Sequence, residues 1–207
     1  MFMYKRLCPF LFSLIIFCSC TAPIKTDSDI LELNYPATLP VIRRADWGWQ
    51  PLKRTLPTHA ISKITLHHGG VDYPPGKDPV KYLRELQQWS RTEKKWIDIP
   101  YHFMIAPSGA IYEARPINYP GATNTDYDPT GHALICLIGN YENATVNQEQ
   151  LQAIIEMTAF LAMQFYVPLY AIKGHKDYTE TLCPGKNLYQ YIENGTIQSR
   201  VQERLIK

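Results

Sequence analysis

The chain has 207 residues, of which 45% are hydrophobic and 12% aromatic, so it can bury one sizeable core and is not expected to be disordered. Its 21 basic and 19 acidic residues leave a formal net charge of +2. Two of the basic residues belong to an N-terminal segment that resembles a secretion signal. The remainder is neutral, which gives no electrostatic reason to expect a nucleic-acid partner.

Residues 1–19 are typical of a signal peptide. Two basic residues precede an apolar run from Leu7 to Cys18, which is too short to span a bilayer as a permanent helix. The segment Phe17-Cys18-Ser19-Cys20 resembles the end of a bacterial lipoprotein signal, so we expect lipidation of Cys20. This predicts a periplasmic protein of the bacterial cell envelope, anchored to the outer membrane by lipid. The alternative is an ordinary secreted protein.

Residues 20–39 are expected to form a linker. They carry Pro23 and Pro36 and little periodicity, which is typical of a tether between an anchor and a domain. A single domain over residues 40–207 is predicted to follow.

The first half of this domain contains signals for strands and one helix. Residues 63–67 alternate and end at a glycine pair, which predicts a strand. Residues 78–95 carry apolar side chains at helical spacing. Two short strands, residues 101–105 and 110–114, flank Pro107-Ser108-Gly109, which indicates a hairpin.

The second half alternates strand and helix. Residues 134–138 form an apolar run typical of a buried strand. Thr145 and Gln148 fit a capping box that would open a long helix. A short strand over residues 171–175 and a helical C-terminus from Asn187 follow. The pattern predicts an α/β domain with a central mixed β-sheet flanked by helices.

Two cysteines, Cys136 and Cys183, belong to the predicted domain. In an exported chain they could form a disulfide. Cys136, however, lies inside the apolar run of the predicted core strand, where free cysteine behaves as a small hydrophobe. A metal site that uses Cys183 is therefore the preferred interpretation.

Histidines accompany Cys183 in a pattern that suits zinc. His67 and His68 end one predicted strand, and His175 ends another, eight residues before Cys183. Imidazole and thiolate are ligands that zinc prefers, and three protein ligands leave a fourth position for water, as in catalytic sites. Because successive strand residues face opposite sides, only one residue of the histidine pair can bind the ion. The expected site lies at the sheet edge, in a substrate groove.

Six motifs together resemble the type 2 family of N-acetylmuramoyl-L-alanine amidases, and in particular the branch with bacteriophage T7 lysozyme and the peptidoglycan recognition proteins. The resemblance spans residues 41–190. The motifs are Val41 to Gly48, Ile64 to Gly69, Trp96 to Phe103, Gly109 to Arg115, Leu137-Ile138-Gly139 and Gly174 to Tyr189.

The resemblance implies a role for five residues. The zinc ligands would be His67, His175 and Cys183. Tyr101 matches a tyrosine that stands near the metal-bound water. Thr181 occupies the position where the phage enzyme has lysine and where amidase-active recognition proteins have threonine. Both are expected to be catalytic, by hydrogen bonding to the developing oxyanion.

The chain departs from the family pattern in the loop before the core strand. The family often has a histidine there, whereas this chain reads Pro120-Gly121-Ala122-Thr123-Asn124. Where the family usually has Asn and Ser, this chain has Gly131 and His132. The candidate substrate contacts are the polar residues His68, His102, Asn124 and His132.

The resemblance implies a zinc-dependent amidase that cleaves the bond between the lactyl group of N-acetylmuramic acid and L-alanine. We expect the protein to be a monomer. Zn²⁺ is the expected cofactor, and peptidoglycan or muropeptides are the expected partners. Two alternatives remain at this point. One is a peptidoglycan-binding module without catalysis, and the other is a zinc peptidase that cuts another amide of the stem peptide.

Overall fold

A computed structural model of the protein describes residues 30–54 and 56–206. The strands are β1 (Val41–Ile42), β2 (Lys63–His68), β3 (Phe103–Ile105), β4 (Ile111–Glu113), β5 (His132–Leu137) and β6 (Ile172–Gly174). The helices are α1 (Pro79–Thr92), α2 (Gln148–Phe165), α3 (Lys186–Glu193) and α4 (Thr196–Leu205). The strands and helices predicted from the sequence are present, with shifted boundaries.

In this described part of the chain, six strands form one mixed sheet in the order β1-β4-β3-β5-β2-β6. Strands β3 and β4 pair antiparallel, which confirms the predicted hairpin, and the other pairs are parallel. Parallel neighbours need long crossover connections, and helices supply most of them. The expected α/β architecture, with a mixed sheet flanked by helices, is confirmed.

The two faces of the sheet are covered differently. On one face, Ile64, Leu66 and Ile135 pack in a large apolar cluster with α2, α3 and α4. On the other face, a smaller cluster around Trp47 and Leu83 covers only part of the sheet. Because strand residues alternate between faces, Thr65 and His67 project away from the large core. The uncovered part of this second face is where polar side chains collect.

Helix α2 begins two residues later than the sequence predicts. The N-cap is Asn147, whose side chain accepts a hydrogen bond from the Gln150 amide at 2.8 Å, and Gln150 bonds back to complete the box. The predicted box of Thr145 and Gln148 is therefore wrong. Asn147 also donates to the Pro107 carbonyl at 2.7 Å, so a contact with the hairpin turn fixes where the helix starts.

The C-terminal segment is helical, as predicted, but it forms two helices. The break falls at Asn194 and Gly195, where Gly195 has φ of 76°. This left-handed conformation is unfavourable for side chains with a Cβ. The turn lets α4 fold back, so that Ile197 and Val201 join the core beside α2.

Residues 30–39, which the sequence assigns to the linker, contact the domain. Leu33 and Leu39 are 4% and 6% exposed and belong to the large core. The Tyr35 hydroxyl donates to Glu113 at 2.6 Å. Burial of these apolar side chains stabilises the attachment of the segment to the domain. The sequence gives no sign of this contact, because the segment has little periodicity.

The predicted signal peptide, the lipidation of Cys20 and the first part of the linker lie outside the described residues. Within residues 30–54 and 56–206, no helix has the length and apolar character needed to cross a membrane.

The cap of α2 gives a test of the fold. We expect Asn147→Ala to lower the free energy of unfolding by about 1–2 kcal/mol, because it removes the N-cap. Thr145→Ala is the matched control and should change it by less than about 0.5 kcal/mol. Urea unfolding followed by circular dichroism measures both. Equal losses in the two variants would contradict the assignment of the cap.

Candidate metal centre

The register of β2 and β6 brings two histidines together. The two strands are parallel, and Leu66 pairs with Gly174. The next residue in each case is a histidine, His67 within β2 and His175 directly after the end of β6, so the two lie side by side. Their ring centroids are 4.5 Å apart. Both side chains are buried, with 2% and 6% exposure, at the end of the sheet face that the smaller cluster leaves open.

The loop after His175 brings the Cys183 thiol close to the two histidines. The Lys176 amide donates to the Cys183 carbonyl at 2.9 Å, which closes the loop. The Cys183 sulfur accepts the His68 amide at 3.4 Å. Thr181 accepts the Cys183 amide at 3.2 Å through its hydroxyl oxygen. These bonds tie Cys183 to the end of β2.

The three predicted ligands form one cluster. The donor atoms of His67, His175 and Cys183 lie within 4.8 Å of one another. The distance from His67 Nδ1 to Cys183 Sγ is 3.5 Å. A tetrahedral zinc ion with bonds of about 2.0–2.3 Å holds its ligands about 3.3–3.8 Å apart, so only a small contraction is needed. Cys136 and Cys183 are both free thiols, which excludes the disulfide between them.

Burial keeps the two imidazoles in the neutral form that can bind a metal. Burial lowers the pKa of His175 to about 4 and the pKa of His67 well below its usual range. Both rings are therefore neutral at pH 7, as metal ligands must be. Burial also raises the pKa of the Cys183 thiol to about 12, so a bound cation is needed to hold its thiolate. The donor set of two imidazoles and one thiolate suits zinc.

Tyr101 borders the cluster. Its ring centroid lies 5.0 Å from that of His67. Burial, with a smaller contribution from the neighbouring Cys136 and Cys183 thiols, raises the pKa of Tyr101 well above its usual value. Tyr101 therefore keeps its proton at pH 7 in the metal-free protein and can donate a hydrogen bond.

The cluster opens into a cavity of about 210 Å³. Its lining includes both predicted catalytic residues, Tyr101 and Thr181, and all three candidate ligands. A larger groove, about 610 Å³, lies beside α1 and is lined by Arg84 and Arg91. None of the candidate ligands lines that groove, so the smaller cavity is the candidate site.

Two of the four predicted substrate contacts line the small cavity, namely His68 and Asn124. Asn124 is exposed. His68 is turned away from the metal cluster, as strand alternation predicts, and its Nδ1 accepts the Tyr141 amide at 3.0 Å. The side chain of His68 thus supports the neighbouring loop, while its backbone amide holds Cys183.

The other two predicted substrate contacts, His102 and His132, lie inside the protein and are each 1% exposed. His102 accepts the Leu134 amide at 2.9 Å and bonds the Tyr119 carbonyl at 3.0 Å through its other nitrogen. His132 bonds the Thr65 hydroxyl at 2.7 Å. These side chains are enclosed by the protein and bond its own groups, and neither lines the small cavity.

Two further residues contact the ligands, and the sequence analysis did not identify either. Thr125 Oγ1 lies 2.9 Å from His175 Nε2. The Tyr127 hydroxyl lies 3.4 Å from His67 Nε2. Both belong to the irregular loop between β4 and β5, where no periodicity marks a residue as functional.

The metal centre gives a direct test. We expect the purified protein to bind one zinc ion per chain, and Cys183→Ser to weaken zinc binding by at least about 100-fold, because the thiolate ligand is lost. Cys136→Ala is the control and should bind zinc like the wild type. Competition with a chromophoric chelator measures all three affinities. Tight zinc binding by Cys183→Ser would contradict the ligand assignment.

The buried His102 gives a pH test that is independent of metal. Burial lowers its pKa to about 3, against about 6.5 in the unfolded chain. The unfolded chain thus binds more protons below pH 6.5, and the free energy of unfolding falls as the pH falls. In the presence of chelator, the loss between pH 7 and pH 5 should be about 2 kcal/mol smaller in His102→Gln than in the wild type. Urea unfolding of both proteins at both pH values checks this. An equal loss of unfolding free energy in the two proteins would contradict it.

Several known proteins resemble this chain in sequence. Residues 57–186 match the family model described as N-acetylmuramoyl-L-alanine amidase. Peptidoglycan recognition protein 1 of Bos indicus is 33% identical over 175 residues, which are 78% of this chain and 86% of that protein. The N-acetylmuramoyl-L-alanine amidase of Homo sapiens is 27% identical over 167 residues, which are 77% of this chain and 28% of that protein.

The fold also matches solved structures. The Drosophila peptidoglycan recognition protein LB, solved as a point mutant in complex with tracheal cytotoxin, superposes with a TM-score of 0.66 at 27% sequence identity, covering 74% of this chain and 92% of that chain. The matched family model spans more than half of the sequence and contains all three candidate ligands but not the N-terminal segment. The chain belongs to the type 2 family of N-acetylmuramoyl-L-alanine amidases.

Proposed function

We propose that the protein is a zinc-dependent amidase that hydrolyses the bond between the lactyl group of N-acetylmuramic acid and L-alanine of the stem peptide. The observation that carries the proposal is the cluster of His67, His175 and Cys183, whose donor atoms lie within 4.8 Å of one another at the base of a cavity. Family membership indicates which bond is cleaved, and the cluster provides the ligands for the metal ion that cleavage requires.

The residues that would hold zinc are His67, His175 and Cys183. When bound there, zinc supplies Lewis acidity, which lowers the pKa of a coordinated water and polarises an amide carbonyl. The protein supplies the rest. Buried neutral imidazoles keep the net charge of the site positive once the ion is bound, and the surrounding walls limit the access of bulk water.

Tyr101 is the residue best placed to stabilise the oxyanion. It borders the ligand cluster and keeps its proton at neutral pH. A hydroxyl aimed at the developing charge typically contributes about 3 kcal/mol to lowering the barrier. Thr181 lines the same cavity, and because its oxygen accepts the Cys183 amide, its hydroxyl hydrogen remains free to point toward a substrate.

Peptidoglycan or its muropeptide fragments are the proposed substrates. The Bos indicus relative is named for peptidoglycan recognition, and the Drosophila relative was solved with tracheal cytotoxin bound. We further propose that the enzyme acts as a monomer in the bacterial envelope and is held at the membrane through Cys20.

Two other functions compete with this proposal. A module that binds peptidoglycan without cleaving it needs no thiolate, so the convergence of Cys183 on two histidines favours catalysis. A zinc peptidase would use the same ion on an amide within the stem peptide. The masses of the products separate all three, because only the amidase releases an intact stem peptide with a free L-alanine amine.

Digestion of a defined muropeptide tests the proposal. We expect the wild-type protein to release the intact stem peptide, and both chelation and Cys183→Ser to abolish the release. Mass spectrometry identifies the cut. Binding without products, or a cut inside the peptide, would overturn the proposal in favour of the corresponding alternative.

The role of Tyr101 has its own test. Tyr101→Phe should lower kcat about 100-fold, because one oxyanion donor is lost, while the zinc content stays that of the wild type. Tyr170→Phe is the matched control, since Tyr170 is 81% exposed and lies before β6, away from the cluster. Steady-state kinetics on the same muropeptide compares the variants. Wild-type kcat in Tyr101→Phe would remove this residue from the mechanism.

A further inference from the structure

One loop reaches both histidines of the metal centre from the side opposite Cys183. It joins β4 to β5, and its residues 123–127 carry the hydroxyl groups of Thr123, Thr125 and Tyr127. The family resemblance leads one to expect a histidine in this loop, where this chain has threonine and asparagine instead. Thr125 makes the closest of them, at 2.9 Å from His175 Nε2.

The two nitrogens of His175 are in different situations. Nε2 faces Thr125, whereas Nδ1 is buried and has no hydrogen-bond partner among the described residues. A buried N–H without an acceptor costs about 1–3 kcal/mol, so the stable neutral tautomer carries its proton on Nε2. The lone pair of Nδ1 is then free for a metal ion.

The neighbouring hydroxyls are compatible with a hydrogen bond that His175 donates to Thr125. Thr125 Oγ1 lies 2.7 Å from Thr123 Oγ1, and the Thr125 amide also donates to Thr123 Oγ1 at 3.1 Å. Thr125 can therefore give its own hydroxyl hydrogen to Thr123 and accept the Nε2 proton of His175. The chain of donors runs from His175 through Thr125 to Thr123, which lines the cavity.

His67 shows the same arrangement in a looser form. Its Nδ1 faces the Cys183 sulfur at 3.5 Å, and its Nε2 faces the Tyr127 hydroxyl at 3.4 Å. Tyr127 packs its ring against His175 with centroids 4.8 Å apart. One loop thus places an oxygen behind each imidazole, and the shorter contact is the one to His175.

We propose that Thr125 is a positioning residue that locks His175 in the Nε2–H tautomer, so that the ring binds zinc through Nδ1. The proposal rests on the proposed zinc site, and it assigns to an irregular loop the part that a carboxylate or carbonyl plays behind many metal-bound histidines. Residues in such positions typically change metal affinity by about 10–100-fold when they are removed.

The test compares Thr125→Val, which keeps the shape but removes the hydroxyl, with Thr125→Ser, which keeps the hydroxyl. Chelator competition should show zinc binding about 10–100-fold weaker in Thr125→Val and within about threefold of the wild type in Thr125→Ser. Urea unfolding of the metal-free proteins detects any general loss of structure. Zinc affinity within about twofold of the wild type in Thr125→Val would overturn the proposal.

A second measurement separates this proposal from the zinc site itself. ¹⁵N NMR of the metal-free wild-type protein, with His175 assigned by His175→Gln, should show the proton on Nε2, and Thr125→Val should lower the population of that tautomer. A proton on Nδ1 in the wild type would overturn the proposal. If the wild type shows the Nε2–H tautomer but binds no zinc, the amidase mechanism fails while the tautomer lock stands.

Discussion

The parallel pairing of β2 with β6 is the constraint on which the metal centre depends. Its register places Leu66 opposite Gly174, and this sets His67, the next residue of β2, beside His175, which directly follows β6. A shift of one residue on either strand would turn one imidazole into the large core. The core prevents this, because Ile64 and Ile172 are fully buried on the opposite face. Packing on one face of the sheet thus fixes the positions of the two histidines on the other face.

Burial gives the site its electrostatic character. The same low-dielectric surroundings that hold the imidazoles neutral also raise the pKa values of Cys183 and Tyr101. Without a cation, the cluster is a set of uncharged groups, which the interior tolerates. A bound divalent ion would lower the pKa of the Cys183 thiol, because a thiolate beside the ion is stabilised. Tyr101, not a ligand, keeps its proton and with it the capacity to donate.

The sequence was sufficient for those parts of the molecule that repeat a pattern. Alternation identified β2, and helical spacing identified α1. Ligand chemistry indicated His175, Cys183 and one residue of the pair His67-His68, and the family resemblance selected His67. The predicted start of α2 is wrong, because both Thr145 and Asn147 begin acceptable N-cap patterns. A tertiary contact decides between them, as Asn147 also donates to Pro107 in the hairpin turn.

The loop between β4 and β5, together with His132 at the start of β5, shows where sequence patterns stop being informative. His132 was predicted to face the substrate, yet its ring bonds Thr65 inside the protein, and nothing in the local sequence distinguishes the two orientations. Thr125 has no periodic neighbours, so its contact with His175 follows only from the path of the loop over the sheet. The strands fix where the two imidazoles lie. The loops on either side then fix which nitrogen of each ring is free, and the metal chemistry depends on that choice as much as on the ligands themselves.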